Sequence, residues 1–496
     1  MLPGATNDTT VKPSGLYAHC AASYNEHLII YGGRTFNASA QRLQQSGDTW
    51  SFDLQRWRWT LLVESSTLED HPGPRENHAC VLQRQSDEEA GLIVVGGLLS
   101  SQHGETDSTM TANDVWKLRL RGAIGQQLSA RWERIEVEGE APSPRSDHAV
   151  VAVADGLLLH GGCAGSDTFG DTWLLRGNGR GHGGYRWLRL DVPAAPPARC
   201  AHTAVPLDGG MLMFGGRAPM EAQPSPAVEE QWRTLGDAWL LEYEYDDAAG
   251  GGTRVASWRR LRLNHSSGLH LARSDAAAVL RVDGASGRRA LLLQGGLSIS
   301  TDAARDTMYI HRDLVEVALP AGAPLPDAPT AVGLEGATDW PSYRFDASMV
   351  IVPEVQVDGI LTLLDAPLLY GGGGGTDVFD DLWAYDAARG EFVRLDTTAA
   401  LPRPWAREEL AEDGASSSPS VLVAVAASLA LVAACVVVGL GVWRLTGRRH
   451  RARRALAYVH HREAEGSPKA TRVEAAAELA MTPTAVSSTG GADSCS

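Results

Sequence analysis

An arginine followed three residues later by a histidine recurs along this chain, at Arg75/His78, Arg145/His148 and Arg199/His202. Arg273/Ala276 keeps the spacing without the imidazole, and His19 is a weaker match. A guanidinium beside an imidazole can bind an anion or pass a proton. One catalytic centre needs one such pair, however, and a pair present in most repeats of a chain reads better as hydrogen bonding between repeats. Local signatures of catalysis are missing: there is no H-E-x-x-H, no C-x-x-C, no G-x-S-x-G and no P-loop. A sialidase-like Asp-box is approached over residues 166–173, but Thr168 stands where its aspartate belongs, so the run reads as an ordinary strand entry. No catalytic residue, no cofactor and no metal site is expected.

The elements that carry these pairs repeat as well. A diglycine ends an apolar run six times, at Gly32 and Gly33, Gly96 and Gly97, Gly161 and Gly162, Gly215 and Gly216, Gly295 and Gly296, and Gly371 and Gly372. An aspartate opening a strand follows each one, and in five cases a tryptophan stands two residues on: Trp50, Trp116, Trp173, Trp239 and Trp383. A further short strand carries Trp59, Trp132, Trp187 or Trp258, with Phe392 in the sixth unit. Nine of the 14 tryptophans therefore occupy two repeat positions. The pattern predicts four short strands per unit. Glycine is required where φ is positive or where a neighbouring sheet leaves no room for a Cβ, and the indoles supply flat apolar area between stacked sheets.

These diglycines, the D-x-W strands and the following tryptophan resemble the kelch-repeat family over residues 16–396. The resemblance implies an all-β fold, a six-bladed kelch-type β-propeller of four-stranded blades around a channel, with a seventh blade left open at the N-terminal side. Each unit owns four strands, so no exchange of strands between the chain ends is required. Unit five departs most: it lacks the third-strand tryptophan, and residues 320–339 read as loop. Between diglycine and aspartate lie 14, 16, 8, 20, 16 and 8 residues in turn. Those segments emerge on one face of a propeller, where variable loops on a rigid scaffold commonly build a binding surface. Two kinds of kelch-like enzyme were weighed: the specifier proteins, whose iron motif needs a D-x-x-x-H that is absent here, and galactose-oxidase-like enzymes, whose copper site no local motif reveals.

Residues 421–443 contain no charge, and as a helix would be roughly 34 Å long, enough to cross a hydrocarbon core. Arg444, Arg448, Arg449, Arg451, Arg453 and Arg454 follow immediately, whereas Glu408, Glu409, Glu412 and Asp413 precede, which places the C-terminal side in the cytosol. The sequons at Asn7, Asn37 and Asn264 all fall on the other side. The start, MLPGATNDTTVKPSG, has neither a basic n-region nor an apolar h-region, in conflict with export of so large a domain. The expected organisation is an N-terminal segment (1–15), a propeller (16–400), a linker (401–420), a transmembrane helix (421–443) and a cytoplasmic tail (444–496). The net charge of −16 divides accordingly: the tail carries 9 Lys+Arg against 5 Asp+Glu, and the part before the span 35 against 55. That balance argues against a nucleic-acid partner.

Six cysteines in 496 residues exclude a small disulfide scaffold. Cys163 follows the third diglycine and Cys200 opens the fourth unit, which makes them a candidate disulfide pair in an oxidising compartment. Cys20 and Cys80, on first strands of adjacent units, could also meet at an interface, and free buried thiols are the alternative for both pairs. The reading that results is a single-pass membrane protein whose extracellular or lumenal propeller binds a protein or another macromolecule at its loop face. The alternatives are a propeller enzyme or carbohydrate-binding module of galactose-oxidase-like or sialidase-like type, and an intracellular kelch adaptor on a tail anchor.

Overall fold

The computed structural model describes residues 12–395 apart from short stretches at 40, 66–69, 101–108, 178–183, 221–231, 247–251, 285, 303–304, 321–327, 335–339, 358–360 and 376. The segment 421–443, its flanks and Asn7 lie outside the described residues, and among the described residues no helix is long and apolar enough to cross a membrane.

Six sheets follow one another along the chain, each with four main antiparallel strands in the spatial order of the sequence; the second adds the short strand Arg75–Glu76, and the third adds Val137–Glu138, which runs parallel to Tyr185–Leu190. The first blade is Cys20–Tyr24, His27–Tyr31, Thr49–Asp53 and Arg58–Val63, and the last is Ser348–Val357, Leu361–Tyr370, Leu382–Asp386 and Glu391–Leu395. Among the described residues no strand is borrowed from the other end of the chain. Instead the ring closes through a short latch: Leu16 donates its N–H to the carbonyl of Phe379 (3.1 Å) and its own carbonyl accepts from Gly372 (2.8 Å).

Packing follows from the two-residue period of a strand buried on both faces. In His27–Tyr31, Ile29 and Tyr31 join a cluster with Leu92, Val94 and Trp116 of the second blade. Leu28 and Ile30, on the opposite face, join Val352, Leu368 and Tyr370 of the last blade. The same alternation repeats in the next blade, where Ile93 and Val95 turn toward Leu157 and Leu159 of the third. The described core is thus a set of six apolar clusters, one at each blade interface.

The fifth blade corrects one expectation. Its outer strand exists: Ala331–Leu334 pairs with Leu314–Leu319 inside the stretch read as loop. Four residues, Ala-Val-Gly-Leu, carry too little periodicity to register as a strand, and the backbone of the neighbouring strand recruits them. The aromatic mass missing from this unit comes from Trp340, which is buried and stacks edge-on against Phe392 of the next blade.

Candidate binding face

The arginines of the repeat are sealed inside the blades. Arg145 has its side chain 2% exposed and forks onto Asp171 through Nη1 (2.6 Å) and Nη2 (3.0 Å), while Nη1 also donates to the carbonyl of Gly161 (2.9 Å). Trp173 donates its indole N–H to the same aspartate at 2.7 Å. Arg75 with Asp114, Arg199 with Asp237, Arg273 with Asp313 and Arg344 with Asp381 repeat this bidentate geometry. The pairing holds Asp114, Asp171, Asp237 and Asp381 ionised: against burial, the guanidinium and indole hydrogen bonds lower their pKa. The motif therefore ties the first strand of a blade to its own second and third strands. What passes between blades is the arginine's carbonyl, which accepts the N–H of the second glycine of the preceding diglycine, as in Gly33 to Arg75 at 2.8 Å and Gly97 to Arg145 at 2.9 Å.

All twelve diglycine residues have positive φ. At Gly32 (φ +71°) an added Cβ would stand 2.7 Å from Cε1 of His78 and 2.8 Å from the carbonyl oxygen of Arg75, both from the next blade. The expected reason for glycine, close approach of a neighbouring sheet, is what the geometry shows. Trp116, Trp173, Trp239 and Trp383 of the third strands donate to their own aspartates at 2.7 Å. Of the outer-strand indoles, Trp132 donates to Thr49 Oγ1 at 3.2 Å, whereas Trp187 and Trp258 are buried without a partner.

The residue between arginine and histidine was not singled out by sequence reasoning, and it builds the centre of the molecule. The histidines, and every arginine but Arg75 on the short strand Arg75–Glu76, lie in the loop that enters the first strand rather than on that strand itself. Ala18, Asn77, Asp147, Ala201, Asp275 and Asp346 hold φ between 52° and 57° there. Their backbones form a closed ring of six hydrogen bonds: Asn77 N–H donates to Ala18, Asp147 to Asn77, Ala201 to Asp147, Asp275 to Ala201, Asp346 to Asp275, and Ala18 back to Asp346, all at 2.8–3.0 Å. Asparagine and aspartate tolerate left-handed backbone better than other non-glycine residues. Their recurrence just before the histidine position was the available signal.

This ring frames a cavity of about 150 Å³ at the mouth of the central channel. Its walls include the Asp147, Asp275 and Asp346 carboxyls and the rings of His19, His78, His148 and His202. The four histidines are buried and their ring nitrogens find no hydrogen-bond partner of good geometry. Burial holds His19 and His148 neutral, with pKa values down at about 3. Burial and the facing carboxylates Asp275 and Asp147 push Asp346 well above the usual carboxylate range, and burial likewise raises Asp275. Arg217 Nη1 reaches Asp275 at 3.6 Å, and Ser274 and Ser146 donate to Asp275 and Asp147 at 2.7 and 2.8 Å.

Around the mouth stand the segments between second and third strands, all on the face where the ring lies. Each is a hairpin, among them Arg34–Asn37 with Arg42–Gln45, Arg217–Pro219 with Trp232–Thr234, and Leu297–Asp302 with Arg305–Ile310. Among the described residues no three His, Cys, Asp or Glu are grouped to hold a metal.

The cysteines do not pair as first expected. Cys20 and Cys80 are joined across the interface of the first two blades, with Cα atoms 6.1 Å apart. Cys163 and Cys200 are free thiols; Cys163 Sγ sits 3.6 Å from Asp147 Oδ2, at the rim of the cavity. Their backbones bridge to Ser146 and Arg217 respectively. The sequon Asn264 is exposed, and Asn37 lies on the first hairpin, where its side chain donates to Gln44 at 2.9 Å.

With repeat clamps, diglycines and blade order in place, a family model described as the KLHDC2/KLHL20/DRC7 Kelch-repeats domain matches residues 5–216. The fold is a six-bladed β-propeller, and over those residues it matches the kelch-repeat family. It is 25% identical over 236 residues to an F-box/kelch-repeat protein of Arabidopsis thaliana, covering 46% of this chain and 42% of that one. It is 23% identical over 242 residues to host cell factor of Drosophila melanogaster, covering 47% of this chain and 15% of that one. A third match, the dynein alpha chain of the flagellar outer arm of Chlamydomonas reinhardtii, is 37% identical over 122 residues, 24% of this chain and 2% of that one. The matches span less than half the length of each of these relatives.

Proposed function

We propose that this kelch propeller is a binding module and that its hairpin face docks a protein partner. The observation that carries the reading is where the exposed apolar side chains lie. Of the eleven large hydrophobic residues exposed among the described residues, six stand on the hairpin face: Phe36, Leu43, Met110, Met308, Tyr309 and Tyr343. Phe36 and Leu43 are register partners on one hairpin, so they form a contiguous apolar pair rather than scattered exposures. Aromatic and methionine side chains on a rigid face are the composition of an interface centre. Arg, Asp and Trp of the repeat are consumed by structural clamps, which leaves them no part in chemistry on a substrate.

The placement we propose is a membrane-anchored one, with the propeller extracellular or lumenal and the tail cytoplasmic. Supporting it are the uncharged run at 421–443, the arginines that follow, the exposed sequon at Asn264 and the Cys20–Cys80 bond, which suits an oxidising compartment. The test of binding is affinity capture by the full chain in detergent, comparing wild type with Phe36→Glu/Tyr309→Glu. A partner retained by wild type and lost from the variant supports the docking face; equal capture by both sinks it. Loss of apparent mass on glycosidase treatment tests the orientation, since cytosolic sequons stay bare.

A further inference from the structure

We propose that the free edge of the fifth-blade hairpin is a strand-addition site, where an extended segment of the docked partner pairs with the backbone of Arg305–Ile310 above the sixth blade. This rests on the docking reading above and names how that face holds its partner.

Along an antiparallel strand, successive residues turn their N–H and C=O to opposite neighbours. Leu297 exchanges both backbone bonds with Ser274, at 2.8 Å each. Ser298 and Ser300 therefore face Arg305–Ile310, in register with Tyr309 and Thr307. Met308 and Ile310 point the other way, off the hairpin. On the opposite edge Ile299 also points outward, and its N–H is taken by Thr234 Oγ1 of the fourth-blade hairpin at 2.8 Å. That edge is covered, and the Met308 edge is not. Among the described residues Arg305–Ile310 pairs with no strand but Leu297–Asp302, and no backbone bond reaches Met308 or Ile310 from outside the hairpin.

A difference in length opens the space beside this edge. The sixth blade lies on that side, since Arg344 N–H donates to the His311 carbonyl at 3.1 Å. The fifth hairpin has six register pairs, whereas the sixth, Gly373–Gly374 with Asp377–Val378, has two. Arg305–Ile310 therefore stands above its neighbour. The second blade has a comparable edge beside the short third hairpin, with Met110 as its exposed large apolar side chain. The fifth offers more: Met308 and Tyr309 are 61% and 53% exposed on its two faces, and Tyr343 is 55% exposed at its foot, its ring 5.7 Å from the Arg312 guanidinium.

An exposed edge is a template for another chain unless proline or charge blunts it. Thr307, Met308, Tyr309 and Ile310 bring neither. The occupant must present its own backbone N–H and C=O to Met308 and Ile310. A helix has spent those groups on itself, so the segment is extended and free of proline where it pairs. Cross-strand neighbours share a face, so apolar or β-branched residues suit the positions next to Met308 and Tyr309.

The experiment is selection of a displayed library of short linear peptides on the full chain in detergent, followed by titration of the enriched sequence as a fluorescent peptide. N-methylation along that peptide is expected to weaken binding at least tenfold at every second position and little between, the period of a strand that turns alternate amides to the edge. Met308→Pro removes the outward N–H and spares the ladder to Leu297–Asp302, so it should weaken the peptide at least tenfold. Met308→Ala keeps the amide and should weaken it less. Hydrogen exchange at the Met308 and Ile310 amides of the wild-type chain should slow when the peptide binds. Failure to enrich any sequence, N-methylation without the two-residue period, or equal affinity of Met308→Pro and Met308→Ala overturns the proposal. If Met308→Pro fails to fold, unchanged exchange at Met308 and Ile310 overturns it. A peptide-free dimer that Met308→Pro dissociates would give the edge to a second copy of this chain and sink the proposal too. Capture of a protein partner lost in Phe36→Glu/Tyr309→Glu but kept in Met308→Pro leaves the docking face standing and removes strand addition from it.

Discussion

Leu16 occupies the place that an arginine holds in the other five repeats, and its carbonyl accepts the N–H of Gly372 at 2.8 Å, joining the first blade to the last. The junction thus uses the same backbone bond as the others, but the residue that supplies the carbonyl carries no guanidinium to clamp its own blade. Gly15 makes the approach feasible, since a Cβ there would lie 2.4 Å from the carbonyl oxygen of Val378. Gly15→Val should therefore pry the latch open at a cost of about 1–3 kcal/mol, the range of an overpacked site. Hydrogen exchange at the amides of Leu16 and Gly372 should accelerate while that of the third blade stays protected. Uniform acceleration through all six blades would show that the latch is not a separate unit of stability.

The clamps should be unequal to the ordinary surface ion pair. Arg145 is sealed, so Asp171→Asn leaves a charge inside the blade with half its partner gone, at a cost of about 3–5 kcal/mol. Urea denaturation of the single variants and of Arg145→Met/Asp171→Leu reads the coupling. The double variant should be less destabilised than the sum of Arg145→Met and Asp171→Leu. Additive losses would mean that the two side chains act independently despite their bidentate contact.

Much of this was legible in the sequence, for a physical reason. The diglycine is forced by geometry that recurs at all six blades, and D-x-W recurs in five units and the second tryptophan in four, so a misread copy is corrected by the others. That redundancy gave the blade count and the strand each tryptophan sits on. Features present once were not readable in the same way. The strand Ala331–Leu334 has no pattern of its own and exists because Leu314–Leu319 offers it a backbone edge. The acidic mouth depends on which residues share the left-handed position in different repeats, and Asp147, Asp275 and Asp346 stand far apart in the chain. Cys163 and Cys200 come near each other across one rim, yet whether they bond is decided by rim geometry that spacing does not encode.

Acid should unfold the propeller through its histidines. His19, His148 and His160 have folded-state pKa values of about 3, lowered by burial, while the unfolded chain binds their protons near 6.5. The unfolded state thus takes up protons first as pH falls, so the stability these rings contribute is complete above pH 6.5 and is lost progressively toward pH 3. Each costs up to about 1.4 kcal/mol per pH unit inside that window. Asp346 works in the opposite sense: its raised pKa makes the folded state hold the proton, and that contribution fades as pH rises. Melting temperature against pH should fall steeply below pH 6, less steeply in His148→Gln. Asp346→Asn should gain stability relative to wild type at pH 8 and lose that gain at pH 4. A His148→Gln profile parallel to wild type would exclude the imidazole as a cause.

The disulfide gives the last expectation. Cys20 and Cys80 are 60 residues apart, and cross-linking a loop of that length removes chain entropy worth about 4 kcal/mol from the unfolded state. The bond spans the first two blades, next to Tyr24, Tyr31 and Trp132 in a buried cluster, so its loss should loosen that interface first. Reductant should lower the melting temperature of the wild-type chain, and Cys20→Ser/Cys80→Ser should melt at the reduced value with or without reductant. Cys163→Ser/Cys200→Ser, removing two thiols that are free, should keep the full response to reductant. A response that disappears in this second variant would instead place the stabilising bond between Cys163 and Cys200.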